Sequence, residues 1–249
     1  MKLRIDKMLS NSGIGSRKQI KTDARKGFVE VNGTIEKDSS KIIDTETDTV
    51  KYKGEIIKYM QYIYLMMNKP RGVVSATEDN YDKTVIDLLD DEEKFYEPFP
   101  VGRLDKDSEG LLLITNDGKL AHELLSPRKH VDKTYYVEVA EEITEDDVRA
   151  FEEGVILKED NYKTLPAKLQ IMESGYPSIC LVTIREGKFH QLKRMFNAVN
   201  NEVTYLKRIS MGALKLDESL KTGQYRHLTE EEKRKLMGTF LQPTKDNPE

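Results

Sequence analysis

A chain of 249 residues can bury two modest hydrophobic cores without covalent cross-links. Its single cysteine, and four histidines without ligand spacing, exclude a disulfide framework and argue against a metal site, while its apolar runs fall far short of the roughly 20 residues that a membrane span requires. The net charge of -4 is uneven, because residues 1–60 carry 13 Lys and Arg against 9 Asp and Glu, which indicates a basic module on a more acidic body.

Two helices are predicted at the N-terminus, separated by Asn11-Ser12-Gly13. Ser16 suits the N-cap of the second helix, and Gly27 suits the position after its end. This second helix carries five cations, Arg17, Lys18, Lys21, Arg25 and Lys26. Because like charges on successive turns repel one another, phosphate binding explains them better than helix stability does. The alternative is a merely solvated helix face.

A β-hairpin is predicted after this helix. Residues 28–33 alternate and end in an Asn-Gly turn, and residues 49–54 form a second alternating strand. Together with RIDKMLSNSGIGSRKQI, these strands resemble the S4 RNA-binding domain over residues 2–58. The resemblance implies that the basic helix contacts the RNA backbone.

The second domain begins with a predicted strand at residues 62–67, which the segment NKPRG terminates. Residues 85–89 follow as a short helix with Thr84 as its cap. The acidic stretch at residues 90–97 is expected to face solvent.

The central stretch of the chain is FPVGRLDKDSEGLLLITNDG, residues 99–118. Residues 111–114 form an unbroken apolar run, which is typical of a strand covered on both faces. Asp105 lies on the turn before this strand, and Arg103 precedes it by two residues, so that both side chains can project the same way. Taken alone, the segment also suits a surface turn, and Asp107 is a competing acid.

GRLDKDSEGLLLITNDG resembles the first motif of the pseudouridine synthases, in the branch related to RsuA and RluB. The essential aspartate of that family falls on Asp105. NKPRGVVSATED is similar to the segment with which the family's catalytic domain begins. The resemblance implies that the protein isomerises a uridine of RNA.

Two further elements follow the central stretch. Residues 133–139 alternate as a strand, and their K-T-Y resembles the second family motif, which places Tyr135 against the target base. Residues 145–153 are expected to form an exposed acidic helix between Thr144 and Gly154.

The third family motif is similar to EGKFHQLKRMF. A strand before it is expected to bury Ile179, Leu181 and Ile184. The motif itself is predicted to place four polar side chains on one helix, namely His190, Gln191, Lys193 and Arg194. The resemblance pairs Lys193 with Asp105, which would keep this carboxylate ionised.

The end of the chain contributes a strand, a helix and a tail. Residues 203–214 look like the closing strand of the family's catalytic domain, with Leu206 near the base, and a short helix is predicted at residues 230–236. The expected fold class is α+β, with a small S4 (αL-type) domain at residues 1–59 and a catalytic domain at residues 60–240. The catalytic domain should hold a mixed, mainly antiparallel central sheet flanked by helices. Residues 241–249 are expected to be a disordered polar tail.

The implied reaction breaks the bond between N1 of uracil and C1′ of the ribose, and rejoins the ring through C5. It needs no cofactor, and the sequence has neither a dinucleotide-binding nor a Walker loop. Asp105 would stabilise the charge at C1′ or attack it as a nucleophile, while Tyr135 would stack on the uracil and offer its hydroxyl for relay of the C5 proton. Arg103 would take the place of the flipped nucleotide or grip its phosphate. The other residues expected to contact RNA are Lys133, His190, Gln191, Arg194 and Leu206, with Arg17, Lys18, Lys21 and Arg25 of the basic helix.

The expected partner is ribosomal RNA. The His-Gln string of the third motif is nearer the RsuA form than the RluB form, which favours 16S rRNA in a small-subunit assembly intermediate. One alternative is an RluB-like enzyme acting on 23S rRNA, and another is a non-catalytic S4-type RNA-binding or ribosome-assembly protein. We expect a cytoplasmic monomer without a metal, a cofactor or membrane contact.

Overall fold

The computed structural model describes residues 1–241, with side chains to residue 238, and divides into two compact units. The first unit comprises residues 1–62 together with residues 91–97, and the second comprises residues 63–90 and the chain from residue 98 onward. The polar tail was predicted at residues 241–249, and residues 242–249 lie outside the described part of the chain.

The first unit contains three helices and two small sheets. Its helices are α1 (Ile5–Asn11), α2 (Arg17–Arg25) and α3 (Asp91–Lys94). Its strands are β1 (Lys2–Arg4), β2 (Val29–Val31), β3 (Thr34–Ile35), β4 (Ile42–Asp44), β5 (Val50–Tyr52) and β6 (Glu55–Ile56). Strands β3-β2-β5-β6 form one sheet, and β1 pairs with β4 in the other.

Local sequence signals set the ends of the elements in this unit. Ser16 is the N-cap of α2 and accepts a hydrogen bond from the backbone N–H of Gln19 at 3.2 Å, as predicted. Asn32 and Gly33 both have positive φ, as a two-residue hairpin turn requires. Segment 91–97 packs against the first unit. The Phe95 ring covers Gly13 and lies 3.5 Å from the point where a Cβ of that residue would stand. Nothing in the sequence pattern indicated this return.

The second unit is built on one large sheet. Its helices are α4 (Gly118–Leu125), α5 (Glu145–Glu153), α6 (Gln191–Ala198) and α7 (Glu230–Leu241), with 3₁₀ turns at Ile86–Leu88 and Pro127–Lys129. Its strands are β7 (Tyr64–Lys69), β8 (Phe99–Pro100), β9 (Glu109–Thr115), β10 (Lys133–Val139), β11 (Ile156–Leu157), β12 (Tyr162–Lys163), β13 (Lys168–Glu173), β14 (Ser178–Ile184), β15 (Val203–Met211), β16 (Leu214–Lys215) and β17 (Tyr225–His227).

The nine-stranded sheet has the order β13-β14-β10-β15-β9-β7-β17, with β16 beside β15 and β8 beside β9. Strands β9 and β15 are parallel and the other pairs are antiparallel, which confirms a mixed, mainly antiparallel sheet. Strand β15 lies in the middle of the sheet. The prediction that it closes the domain was therefore wrong, because residues 225–227, taken for a connection, form the edge strand instead.

The burial of two strands tests the predicted core faces. Every residue of β9 after Glu109 is buried, as the unbroken apolar run indicated. In β14 the buried side chains include Cys180, Val182 and Ile184, whereas Ile179 and Leu181 are only half-buried. The predicted face was wrong because residues 179 and 184 are five apart, and successive side chains of a strand alternate between its faces.

Helix predictions in this unit mostly agree with the structure. Helix α5 has the predicted bounds, and Thr144 and Asp147 form a capping box at its start. Helix α7 begins where predicted but continues to Leu241 rather than ending at Leu236. No helix within residues 1–241 is long and apolar enough to cross a membrane.

Candidate active site

A well-fixed turn between β8 and β9 presents Asp105. The Leu104 N–H donates to the Ser75 hydroxyl at 3.0 Å, and this hydroxyl donates to the Leu104 carbonyl at 2.9 Å. The Ser108 N–H donates to the Asp105 carbonyl at 3.0 Å, and both Leu104 and Ser108 are buried. These hydrogen bonds anchor the loop and fix the position of Asp105. A plain surface turn would not need such anchoring.

Lys69 also anchors the turn that carries Asp105. Its side chain is fully buried, and its ammonium donates to the carbonyls of Pro70, Asp105 and Ser108 at 2.9, 3.0 and 2.9 Å. Burial lowers the pKa of Lys69 from 10.5 to about 8, although the nearby carboxylates, that of Asp105 foremost, oppose the shift. The sequence placed Lys69 in the NKPRG segment at the end of the first strand of this domain, but it indicated no role for this lysine.

Two basic side chains lie near the Asp105 carboxylate. Lys193 Nζ is 3.6 Å from its Oδ2, and His190 Nε2 is 3.7 Å from its Oδ1. The hydrogen bonds of Lys193, however, go to both carboxylate oxygens of Asp107, at 2.6 and 2.7 Å. These bonds and the charge of Lys193 lower the pKa of Asp107. The structure thus places Lys193 beside Asp105, but its closest partner is Asp107.

A cavity of about 590 Å³ opens on one side of Asp105. Its walls include the buried side chains of Tyr135, Ile184 and Leu206, together with the cations Lys133 and Arg208. These apolar and aromatic surfaces, interrupted by a few polar groups, are typical of a site for a planar ring.

A second cavity of about 480 Å³ lies on the other side of Asp105. It is bordered by Arg71 and Lys106, and it shares Asp105, His190 and Lys193 with the first cavity. Its lining brings together three cations, Arg71, Lys106 and Lys193, and the carboxylates of Asp105 and Asp107, which leaves an excess of positive charge for a phosphate. Asp105 therefore lies at the junction of the two cavities.

Most of the predicted site residues meet at the first cavity. It is bordered by Asp105, Tyr135, Lys193, Arg103, Lys133, His190, Gln191 and Leu206. Arg103 is exposed and has no hydrogen-bond or ion-pair partner within residues 1–238. Its guanidinium is thus available to an anion. The residues that sequence reasoning missed are Lys69, Arg71, Lys106 and Arg208.

The predicted helix with four polar side chains needs correction. Helix α6 starts at Gln191, and His190 precedes it with a φ of 48° and a ring stacked on Phe189 at 3.8 Å between centroids. The Gln191 amide donates to Glu186 at 2.8 Å and accepts from the Lys188 N–H at 2.9 Å. Because its amide is engaged within the chain, Gln191 holds the loop before the helix rather than offering free contacts to RNA.

Arg194 does not reach either cavity. Consecutive residues of a helix point about 100° apart, so Arg194 cannot share the direction of Lys193. Its guanidinium forms ion pairs with Glu159, at 2.9 Å, and with Asp160. The charge of Arg194 is therefore paired within the chain, and its contact with RNA stays a prediction.

The basic helix α2 of the first unit is only partly free. Arg17 donates to Asp6 at 2.9 Å, so part of its charge is neutralised. Lys18, Lys21 and Arg25 are exposed and have no side-chain ion pair with a described residue. These three cations, at positions i, i+3 and i+7, lie on one face of the helix.

Comparison with known proteins places both units in families. Residues 63–198 match the model described as RNA pseudouridylate synthase, and residues 3–50 match that of the S4 domain. An uncharacterized RNA pseudouridine synthase of Bacillus subtilis (strain 168) is 54% identical over 92% of this chain and 96% of its own length. Ribosomal small subunit pseudouridine synthase A of Vibrio vulnificus (strain CMCP6) is 41% identical over 92% of this chain and 97% of its own. A crystal structure of a pseudouridylate synthase, 37% identical, has a TM-score of 0.66 and covers 94% of this chain and 99% of that chain.

Proposed function

The chain belongs to the RNA pseudouridylate synthase family and carries an S4 domain, and we propose that it converts a specific uridine of 16S ribosomal RNA to pseudouridine with Asp105 as the catalytic carboxylate. Family membership makes the protein an isomerase acting on RNA, which sets aside the non-catalytic alternative. The RNA target and the roles of individual residues are the proposal.

The position of Asp105 at the junction of the two cavities carries the assignment of the acid. The planar uracil fits the cavity with Tyr135 and Leu206, and the phosphates beside it suit the cavity with Arg71 and Lys106. C1′ is the atom that joins the base to the ribose, so in this pose it lies where the two cavities meet. The carboxylate at that junction is Asp105.

The reaction follows from this pose. The N1–C1′ bond breaks and its electron pair leaves with the uracil, while the Asp105 carboxylate stabilises the positive charge at C1′ or bonds to it. The ring turns until C5 faces C1′, the new C–C bond forms, C5 loses its proton, and N1 gains one. Tyr135 packs on the ring and offers its hydroxyl for this proton transfer. The Lys193 ammonium lies 3.6 Å from the Asp105 carboxylate and places positive charge beside it.

Two observations support 16S rRNA as the target. Relatives from several genera that cover nearly all of this chain carry the name ribosomal small subunit pseudouridine synthase A. The loop entering α6 also has the His-Gln pair at positions 190 and 191. With such a target the protein would act as a monomer in the cytoplasm, on an assembly intermediate of the small ribosomal subunit. A 23S target remains the second candidate because the catalytic chemistry is the same.

The proposal is tested with the full chain and rRNA transcribed with uridine tritiated at C5. We expect release of the C5 tritium from 16S rRNA or its assembly intermediate, and none from 23S rRNA under the same conditions. Mapping pseudouridines in the product RNA then gives the position modified. Release from 23S rRNA alone would contradict the 16S assignment, and release from neither would contradict the proposal as a whole.

The basic helix α2 provides a separate test of RNA binding. Changing Lys18, Lys21 and Arg25 together to alanine removes three unpaired cations, so we expect weaker 16S rRNA binding and a salt dependence shallower by about 2 in the slope of log K against log salt concentration. Filter binding over a range of salt concentrations measures both. Arg17→Ala is the matched control. Because Asp6 already neutralises part of the Arg17 charge, its slope should change by less than a third of the change in the triple variant, which is the share of one fully free cation. Equal slopes for wild type and the triple variant would exclude α2 from the contact surface.

A further inference from the structure

Arg208 is a buried cation whose hydrogen-bonding capacity is only partly used. Its side chain is 2% exposed, and its Nε donates to the Leu111 carbonyl at 2.8 Å. Its Nη2 is buried without a hydrogen-bond partner. Within residues 1–238, no carboxylate lies at ion-pair distance from its guanidinium. The folded chain therefore buries a positively charged guanidinium and leaves one of its nitrogens without a hydrogen-bond acceptor.

Folding alone does not account for such a residue. A guanidinium stays charged at any pH that a protein tolerates, and a buried N–H without an acceptor costs about 1–3 kcal/mol. Apolar residues of similar volume often replace buried charges with no loss of stability. An unmet buried donor at the wall of a cavity is open to an acceptor that arrives with a ligand.

The sheet aims Arg208 at the reaction cavity. Arg208 of β15 is the cross-strand partner of Tyr135 in β10, and directly opposed residues share one face of a sheet. Both residues border the cavity assigned to the uracil. On the other side Gly110 of β9 is the register partner of Arg208, and a Cβ at Gly110 would overlap the Arg208 carbonyl. The backbone of Arg208 is thus held between two strands.

Lys133 adds to the positive charge of the same wall. It also borders the cavity, and its hydrogen-bond partner is the Val131 carbonyl, at 3.3 Å. Burial, and then the charge of Arg208, lowers the pKa of Lys133. Lys133 and Arg208 therefore both lie along the wall of this cavity, where an anionic ring gains more from them than it would in water.

We propose that Arg208 recognises the uracil ring by donating to one of its carbonyl oxygens, and that it stabilises the negative charge that the ring takes up when the N1–C1′ bond breaks. The electron pair of that bond is shared by N1 and the two carbonyl oxygens of the detached ring, so the donor bond strengthens as the bond breaks. Cytosine carries an amino group at C4 where uracil has an oxygen. If the contact is to O4, Arg208 meets a donor in cytosine and excludes it. The inference rests on the proposed reaction at Asp105.

Arg208→Met tests this role, since it keeps much of the side-chain volume and removes the charge. With 16S rRNA at saturation we expect the single-turnover rate of tritium release to fall about 100-fold. RNA affinity should stay within about twofold, because phosphate contacts elsewhere supply most of it. The melting temperature should change little, because relief of the buried charge offsets the hydrogen bond lost to the Leu111 carbonyl. Arg149→Met, which removes an exposed arginine of α5, is the control and should leave all three measurements unchanged. A rate equal to that of wild type, or a loss of rate that follows a loss of folded protein, would overturn the proposal.

A substrate change tests the same contact in the unaltered protein. An RNA fragment around the mapped uridine is made with that uridine replaced by 4-thiouridine or by 2-thiouridine, because sulfur is a poor hydrogen-bond acceptor. We expect one of the two substitutions to slow wild type about tenfold or more, and to have no further effect on Arg208→Met. If neither substitution slows wild type, Arg208 does not bind the ring. Failure of wild type on the unmodified fragment would instead contradict the proposed function.

Discussion

Replacing Asp105 with alanine is expected to abolish pseudouridine formation, with a fall in the single-turnover rate of at least about 10⁴-fold. The carboxylate is the acid at the junction of the two cavities, with Lys193 and His190 at 3.6 and 3.7 Å. No neighbouring group is placed to take over, because Asp107 is engaged by Lys193 and is largely exposed. Tritium release from labelled 16S rRNA measures the rate, and RNA binding by the variant should be close to that of wild type.

Asp107→Asn is the matched control for this prediction. It alters an acid two residues away and weakens the hydrogen bonds that hold Lys193. Lys193 is then free to move closer to Asp105, so we expect the rate to stay within about tenfold of wild type. If Asp107→Asn were inactive and Asp105→Ala were active, the assignment of the catalytic acid would be reversed.

Lys69→Met is expected to damage both stability and catalysis. The change leaves the carbonyls of Pro70, Asp105 and Ser108 without their common donor. Relief of the buried charge offsets part of this cost, and we expect the free energy of unfolding to fall by about 3 kcal/mol. Because the Asp105 turn loses its anchor, the single-turnover rate should also fall about 100-fold in protein that remains folded. Urea unfolding and tritium release measure the two effects, and a variant with wild-type values in both would show that Lys69 does not hold the turn.

The stability contributed by Lys69 should depend on pH. Its pKa is about 8 in the folded protein against 10.5 for the ordinary side chain. Between these values the unfolded chain binds more protons than the folded one, so the free energy of unfolding rises with pH across this interval. Lys69→Met lacks this contribution. The stability difference between wild type and variant should therefore widen as pH increases from 8 to 10.5, and a constant difference would contradict the buried, partly deprotonated lysine.

Local signals in the sequence were reliable for elements that are determined by neighbouring residues. The N-cap at Ser16, the Asn32-Gly33 turn and the capping box at Thr144 all form as predicted. The unbroken apolar run of β9 is likewise buried throughout. Each of these features depends on a few adjacent residues, whose preferences the surrounding structure does not override.

The sequence was less reliable in predicting which way a side chain points and which residue it contacts. The pairing of Lys193 with Asp107 and of Arg194 with Glu159 depends on loops that are distant in sequence. The central position of β15 and the burial of Arg208 follow from which strands pair, and strand alternation alone does not indicate this. Lys69 reads as an ordinary cation of a loop-like segment until three carbonyls are seen around it.

The sequence by itself determined the family, the α+β class and the identity of Asp105 as the candidate acid, because long motifs and local propensities survive without knowledge of the fold. The tertiary structure alone decided which charges are free and which are paired. In the folded chain Arg103 has no ion-pair partner, Arg17 is paired with Asp6, and Arg194 is paired with Glu159. Arg208 is buried with one N–H group that has no acceptor. The physical reason is that the energy of a charge depends on its burial and its partners within a few ångströms, and these are set by chain segments that the local sequence does not specify.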